Sequence, residues 1–149
     1  MKAKLNIVFI FVAVVGMALP SPYAAAMEEA IVIIANKNVS DSSLSIKEVK
    51  RIFLAKKRLW RDGSKIEFVT LKGCAAHDVF LKSYLEKTPS QYDSYFKNLV
   101  FTGKGKALRT FSTEAELVKY VSGTDGAIGY VSARALSRSD LPHGYDRHL

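Results

Sequence analysis

The segment LSIKEVKRIFLAKKRLWRDG, residues 44–63, decides how the middle of the chain folds. Ser45 and Glu48 have the spacing of a capping box, which predicts a helix beginning directly after Ser45. Leu44 and Val49 occupy the two positions of a hydrophobic staple, which fixes the direction in which the chain enters that helix. The apolar side chains that recur at helical spacing are predicted to face the core, and they are Ile46, Val49, Ile52 and Phe53.

The same segment closes with Trp60, followed by an Arg-Asp-Gly-Ser turn. The large aromatic ring is predicted to pack beside Phe53 and to fix the helix against the sheet. We therefore expect Trp60 to act in folding rather than in ligand binding.

Short apolar runs on either side of this segment predict buried strands at residues 31–35, 66–71 and 126–131. Further helices are predicted over residues 75–86, from the cap Thr88 with Pro89 at the first helical position, and from the cap Thr113 to Gly123. The resulting order is β-α-β-α-α-α-β. Strands that alternate with helices predict an α/β fold, a three-layer sandwich with crossover connections.

The first residues have the order of a secretory signal peptide. Lys2 and Lys4 precede an apolar run over residues 7–19, and the small residues Ala24-Ala25-Ala26 follow. The apolar run has about 13 residues, whereas a membrane-spanning helix needs ~20. The sequence therefore predicts a signal peptide over residues 1–26, one domain over residues 27–149, and a periplasmic or secreted protein.

Basic residues give the whole chain a formal charge of +8, and removal of Lys2 and Lys4 with the signal peptide leaves +6. The stretch from Lys47 to Arg61 holds seven cations and one acid, Glu48. A basic surface attracts anions such as phosphate or acidic lipid headgroups, so this face is a candidate for contact with a membrane surface. A solvated face with no specific role is the alternative. Export argues against nucleic acid as a partner.

Three segments together carry a resemblance to a known family. They are residues 44–63; then Phe80, Thr88-Pro89-Ser90-Gln91 and Phe101-Thr102-Gly103-Lys104-Gly105-Lys106; and last Gly126-Ala127-Ile128-Gly129-Tyr130-Val131. In this order the chain resembles the phosphate ABC-transporter substrate-binding proteins, which are PstS-like and have the type 2 periplasmic-binding-protein fold. A full-length member encloses its anion between two lobes. This chain has room for one, so the resemblance implies a short, single-lobe member.

The resemblance also implies where a ligand would bind. In the family the anion is held after the second strand, by backbone N–H groups and hydroxyls at a helix N-terminus, where unpaired donors favour negative charge. The matching residues are Lys72, Gly73, Cys74, Ala75, Ala76 and His77. This loop lacks the hydroxyls and the arginine that are usual there, and Ala55 stands where glycine is common. His77 is expected to add positive charge below its unperturbed pKa, about 6.5.

No catalytic residue, metal site or cofactor is predicted, and the chain is not expected to be an enzyme. Cys74 and His77 are three residues apart at a helix start, but no third group is evident to orient the histidine. Two classes of function remain. The first is an exported module that binds phosphate or another small oxyanion for ABC-type uptake or sensing, completed by a second lobe, a self-associated copy or a transporter or sensor protein. The second is a non-catalytic interaction or regulatory protein that kept the lobe and lost the ligand.

Overall fold

The computed structural model describes residues 30–137 and 145–148, so the predicted signal peptide lies outside the described residues. Among these residues, no helix combines the length and the apolar character needed to cross a membrane. The elements follow in chain order: β1 (Ile31–Asn36), α1 (Ile46–Phe53), β2 (Glu67–Phe68), β3 (Thr70–Leu71), α2 (Ala75–Phe80), a π-helical segment (Leu81–Leu85), α3 (Pro89–Phe101), β4 (Thr110–Phe111), α4 (Glu114–Gly123), β5 (Ala127–Ser132), α5 (Ala133–Leu136) and β6 (Tyr145–His148).

Two small sheets form the middle of the molecule. In the larger one the strand order is β2-β5-β1-β6, with β5 parallel to β2 and antiparallel to β1, and with β6 antiparallel to β1. The second sheet is the parallel pair β3–β4. Val69 lies between β2 and β3, and its N–H donates to the Ile128 carbonyl at 2.9 Å. The predicted strand over residues 66–71 therefore passes from one sheet into the other.

Helices cover both faces of the larger sheet, which confirms the predicted α/β sandwich. Gly129 and Tyr130 are neighbours on β5, so they point to opposite faces. A Cβ atom on Gly129 would lie 2.6 Å from the Leu117 side chain of α4. On the other face, the Tyr130 ring stacks on Phe80 of α2, with 3.7 Å between ring centroids, and meets Phe53 of α1 edge-on at 5.7 Å.

The predicted helix caps are present. Ser45 and Glu48 form the capping box of α1, and Thr88 and Gln91 form that of α3. Ile46 is an exception among the predicted core residues, because 64% of it is exposed. It is the first residue of α1, one turn before the part of the helix that buries Val49, Ile52 and Phe53.

Trp60 is buried, with 3% of the residue exposed. Its indole Nε1–H donates to the carbonyl of Gly126 at 3.0 Å, which ties the segment after α1 to the turn before β5. Among the described residues, the Phe53 ring makes its aromatic contacts with Phe68, Phe80 and Tyr130. Trp60 therefore has a structural role, and it fulfils this role by its hydrogen bond to the turn at Gly126.

Residues 145–148 form a strand that the sequence did not predict. They pair with β1 in register from Ile33↔His148 to Asn36↔Tyr145. The sequence Tyr-Asp-Arg-His lacks the apolar alternation by which a strand is recognised. Its pairing satisfies the backbone donors and acceptors on the free edge of β1.

Ala55→Gly is predicted to raise the free energy of unfolding by about 0.5–1 kcal/mol, because Ala55 has a φ of 55° directly after α1. Left-handed backbone is costly for a residue with a Cβ atom, and glycine avoids that cost. Chemical denaturation measures the change. Ala107→Gly is the matched control: Ala107 is not among the described residues with positive φ, so that variant should lose stability or stay unchanged. A loss in Ala55→Gly would contradict the prediction.

Candidate functional site

The predicted site loop begins at the carboxyl end of β3. β3 and β4 are parallel, and each leads into a helix, β3 into α2 and β4 into α4. The Lys72 N–H donates to the Phe111 carbonyl at 3.0 Å, which continues the pairing one residue beyond the strands. In open α/β sheets, ligands bind in the crevice outside the carboxyl ends of parallel strands. The fold thus places the loop at an edge suited to ligand binding.

The backbone of this loop presents several unpaired donors. Gly73 has a φ of 68°, which turns the chain away from the strand. Within the described part of the chain, the N–H groups of residues 73–76 have no hydrogen-bond acceptor. Cys74 is the N-cap of α2, and its side chain makes no capping hydrogen bond. Lys72, Gly73 and Ala75 are exposed, whereas Cys74 and Ala76 are half-buried. The loop therefore offers backbone donors and one exposed cation to solvent.

Ser112 is a candidate site residue that the sequence reasoning missed. The parallel register pairs Leu71 with Phe111, so Lys72 and Ser112 are the next residues on the two strands. Ser112 is exposed and directly precedes Thr113, the N-cap of α4. It brings a hydroxyl to the edge where residues 72–77 have none. The only available signal was the capping pattern at Thr113, and the two-residue strand before it is too short to show a period.

His77 is placed differently from the sequence expectation. It is 6% exposed, and its Nδ1 lies 2.6 Å from the Tyr130 hydroxyl oxygen. The same hydroxyl oxygen accepts from the Leu71 N–H at 3.1 Å. Burial lowers the pKa of His77 and raises that of Tyr130. The Tyr130 oxygen thus links the Leu71 N–H to Nδ1 of His77, and the three groups form one buried hydrogen-bonded path.

Burial therefore disfavours the expected cationic contribution of His77. A charged imidazole at this position would be desolvated. Among the described residues, no hydrogen bond joins the side chains of Cys74 and His77, and the His77 ring bonds to Tyr130 instead. Of the predicted residues, Lys72 and the backbone of residues 73–76 stay at the candidate site, and His77 lies beneath it.

The basic stretch from Lys47 to Arg61 is less free than the sequence indicated. Lys50 pairs with Glu86, and Lys57 lies 3.3 Å from buried Asp41 and 3.4 Å from Glu48. Arg61 also approaches Asp41, at 3.8 Å. Acids outside the stretch thus neutralise part of its charge. This makes it a weaker membrane-contact candidate than its composition suggested.

Among residues 30–137, no three His, Cys, Asp or Glu side chains cluster as a metal ion would require.

Comparison with known proteins gives matches only among solved structures, since no protein-family model and no curated protein matches the chain. An ABC-type phosphate transport receptor from Vibrio cholerae gives a TM-score of 0.50 at 14% identity, covering 79% of this chain and 44% of the receptor. A possible phosphate binding protein from Planctomyces limnophilus gives 0.47 at 15% identity, with 81% and 42% covered. PstS from Borrelia burgdorferi gives 0.43 at 16%, with 68% and 40% covered.

The three layers, the strand order and the similarity to the Vibrio receptor decide the architecture. The chain is an α/β sandwich whose fold resembles one lobe of a periplasmic-binding protein. The chain spans less than half the length of these three solved structures, and at this identity the likeness concerns the fold alone.

Proposed function

We propose that the chain is an exported module that binds phosphate or another small oxyanion and works with an ABC-type uptake or sensing system. The observation that carries the proposal is the loop over residues 73–76, whose N–H groups have no acceptor among the described residues and lie beside Lys72. Backbone donors at a helix start, next to a lysine, are suited to an anion. The phosphate receptors among the fold neighbours support the choice of ligand class. In this proposal, residues 1–26 direct export.

Each part of the site has a distinct task in this proposal. Lys72 attracts the anion, the N–H groups of residues 73–76 hydrogen-bond its oxygens, and Ser112 supplies a hydroxyl from the neighbouring strand. Tyr130 and His77 do not touch the ligand. They hold the Leu71 N–H at the end of β3, which fixes the point from which the loop starts.

A single lobe leaves most of a bound anion facing water. A screened contact with one lysine is typically worth under about 1 kcal/mol, so we expect a Kd in the roughly millimolar range. A second lobe, contributed by another copy of the chain or by a transporter or sensor protein, would exclude water and strengthen each contact. Tight binding therefore requires a partner.

A phosphate titration monitored by amide NMR tests the site. The sample is the form of the chain that accumulates in cells, and mass spectrometry identifies its N-terminal residue. Shift changes are expected at residues 72–78 and 112–113, and they should be lost in Lys72→Ala. Lys82→Ala is the matched control, because Lys82 is also exposed and lies ten residues further along the chain. Ser112→Ala should weaken binding less than Lys72→Ala, since it removes a hydroxyl and no charge.

Two outcomes would contradict the proposal. One is an absence of shifts at roughly tens of millimolar phosphate, well above the expected Kd. The other is a set of shifts confined to the Lys47 to Arg61 stretch. Either would favour the second candidate, an interaction protein that kept the lobe and lost the ligand. The observation in favour of that candidate is that residues 72–77 provide no hydroxyl and only one exposed cationic side chain.

A further inference from the structure

A nearly fully exposed aromatic ring lies at the carboxyl end of α3. Phe101 is 91% exposed, and its neighbour Val100 is 43% exposed. Isolated exposed apolar residues are common on protein surfaces, so the ring alone carries no inference. What distinguishes Phe101 is the charge around it.

The part of the chain around Phe101 is rich in lysine and arginine. No acidic residue occurs between Asp93 and Glu114, a stretch that contains Lys97, Lys104, Lys106 and Arg109. The first three of these are exposed and form no ion pair with described residues, whereas Arg109 pairs with Glu67. Lys97 is four residues before Phe101 on α3, so the two lie on the same face of the helix.

The loop after α3 folds back on the end of the helix and adds to this surface. The N–H groups of Lys104 and Gly105 both donate to the Leu99 carbonyl. The Arg58 guanidinium donates to the Lys104 carbonyl, which brings a further exposed cation to the loop. We call the resulting set the Phe101 surface, and it consists of Arg58, Lys97, Val100, Phe101, Lys104 and Lys106.

We propose that the Phe101 surface binds the surface of an anionic lipid bilayer, with the Phe101 ring inserted at the level of the headgroups. An apolar ring surrounded by lysines is the composition of interfacial membrane contacts, in which the ring enters the bilayer boundary and the cations bind anionic headgroups. Lysine side chains are long enough to keep their charge among the headgroups while the ring inserts. This inference is independent of the oxyanion site.

The composition of the surface favours lipid over a protein partner. A stable protein interface buries about 800 Å² on each side around a well-packed apolar core, and this surface offers only Phe101 and Val100 as apolar anchors. A bilayer requires no complementary shape. A few charges and one inserted ring then give weak, salt-sensitive binding, which other contacts of the protein can reinforce.

Vesicle sedimentation tests the proposal, using the chain as cells accumulate it. Vesicles of phosphatidylcholine alone are compared with vesicles that also contain phosphatidylglycerol, at low and high salt. Binding is expected only to the anionic vesicles and should fall as salt rises. Any contribution of the N-terminal residues is common to all variants, so the comparison between variants isolates the Phe101 surface.

Vesicle binding is compared between two double variants that each remove one positive charge. Phe101→Ser with Lys104→Ser should reduce partitioning onto anionic vesicles at least about tenfold. Ile46→Ser with Lys47→Ser is the matched control, because it also removes an exposed apolar residue and an exposed lysine. The control should bind within about twofold of the unaltered chain. Both pairs are exposed, so both variants should fold.

Phe101→Trp reports insertion directly. Trp60 is the single tryptophan of the chain and is buried, so a blue shift of the added emission on anionic vesicles would place residue 101 in the headgroup region. The proposal is overturned if anionic vesicles bind no better than neutral ones, or if both double variants bind alike. It is also overturned if residue 101 stays in water while a protein partner is captured through it.

Discussion

Trp60→Ala is expected to lower the free energy of unfolding by about 3–5 kcal/mol, the usual cost of deleting a buried large aromatic side chain. The ring is 3% exposed, so its removal leaves a cavity between the segment after α1 and the turn before β5. It also removes the donor to the Gly126 carbonyl, 3.0 Å from Nε1. Urea denaturation of the variant and the unaltered chain measures the difference.

Two further substitutions separate the causes. Trp60→Phe keeps most of the apolar surface and removes the N–H donor, so a loss of about 1–2 kcal/mol is expected. Phe101→Ala deletes an aromatic ring that is 91% exposed, and its effect should stay within about 0.5 kcal/mol. If Trp60→Ala left stability unchanged, the ring would be exposed in solution and would become a candidate for partner contact.

Tyr130→Phe is expected to cost on the order of 2–4 kcal/mol, although it removes a single oxygen atom. The lost hydroxyl accepts from the Leu71 N–H and is hydrogen-bonded to His77 Nδ1, and each buried group left unpaired costs roughly 1–3 kcal/mol. Because Leu71 ends β3, the amides of residues 72–76 should also shift in the NMR spectrum of the variant. Both readouts, denaturation and NMR, use the same sample.

Tyr92→Phe is the matched control for this prediction. Tyr92 is also fully buried, but within the described ranges its hydroxyl makes a single hydrogen bond, which it donates to the Phe53 carbonyl at 2.8 Å. Its loss should cost about 1 kcal/mol and leave the amides of residues 72–76 unchanged. If Tyr92→Phe and Tyr130→Phe lowered the free energy of unfolding equally, the hydrogen bonds from Leu71 to His77 would contribute no more than a single buried hydrogen bond.

The same path predicts a pH dependence. Burial lowers the pKa of His77 in the folded chain, so the unfolded chain takes up a proton at a higher pH than the folded one. The stability contributed by neutral His77 is present above its unfolded pKa, about 6.5, and is lost as pH falls toward the lower folded pKa. Denaturation from pH 7 to pH 5 should show this loss, and His77→Asn should reduce it. A slope of the opposite sign would contradict the assignment of the neutral form.

Local patterns predicted the parts of the fold that depend on neighbours in sequence. The capping boxes at Ser45 and Thr88 are both formed, because their partners are only three residues away. The buried strand at residues 126–131 was predictable from its apolar run. The prediction that Ile46 faces the core is wrong. Periodicity places a residue on one face of a helix, but it does not show where along the helix the contact with the core begins.

For the candidate site, the sequence determined which residues form the loop, and the resemblance implied its position after the second strand. Only the tertiary structure decided that His77 turns inward, because its partner Tyr130 lies 53 residues further along the chain. The same holds for Ser112, which reaches the edge through the parallel pairing of β3 with β4. It holds also for the Lys47 to Arg61 stretch, which Asp41 and Glu86 partly neutralise.

Helix starts and apolar runs arise from short-range hydrogen bonds and periodic burial, which the sequence alone can show. The protonation of a histidine, the hydroxyls at a site and the free charge on a surface depend on groups that only the folded chain brings together.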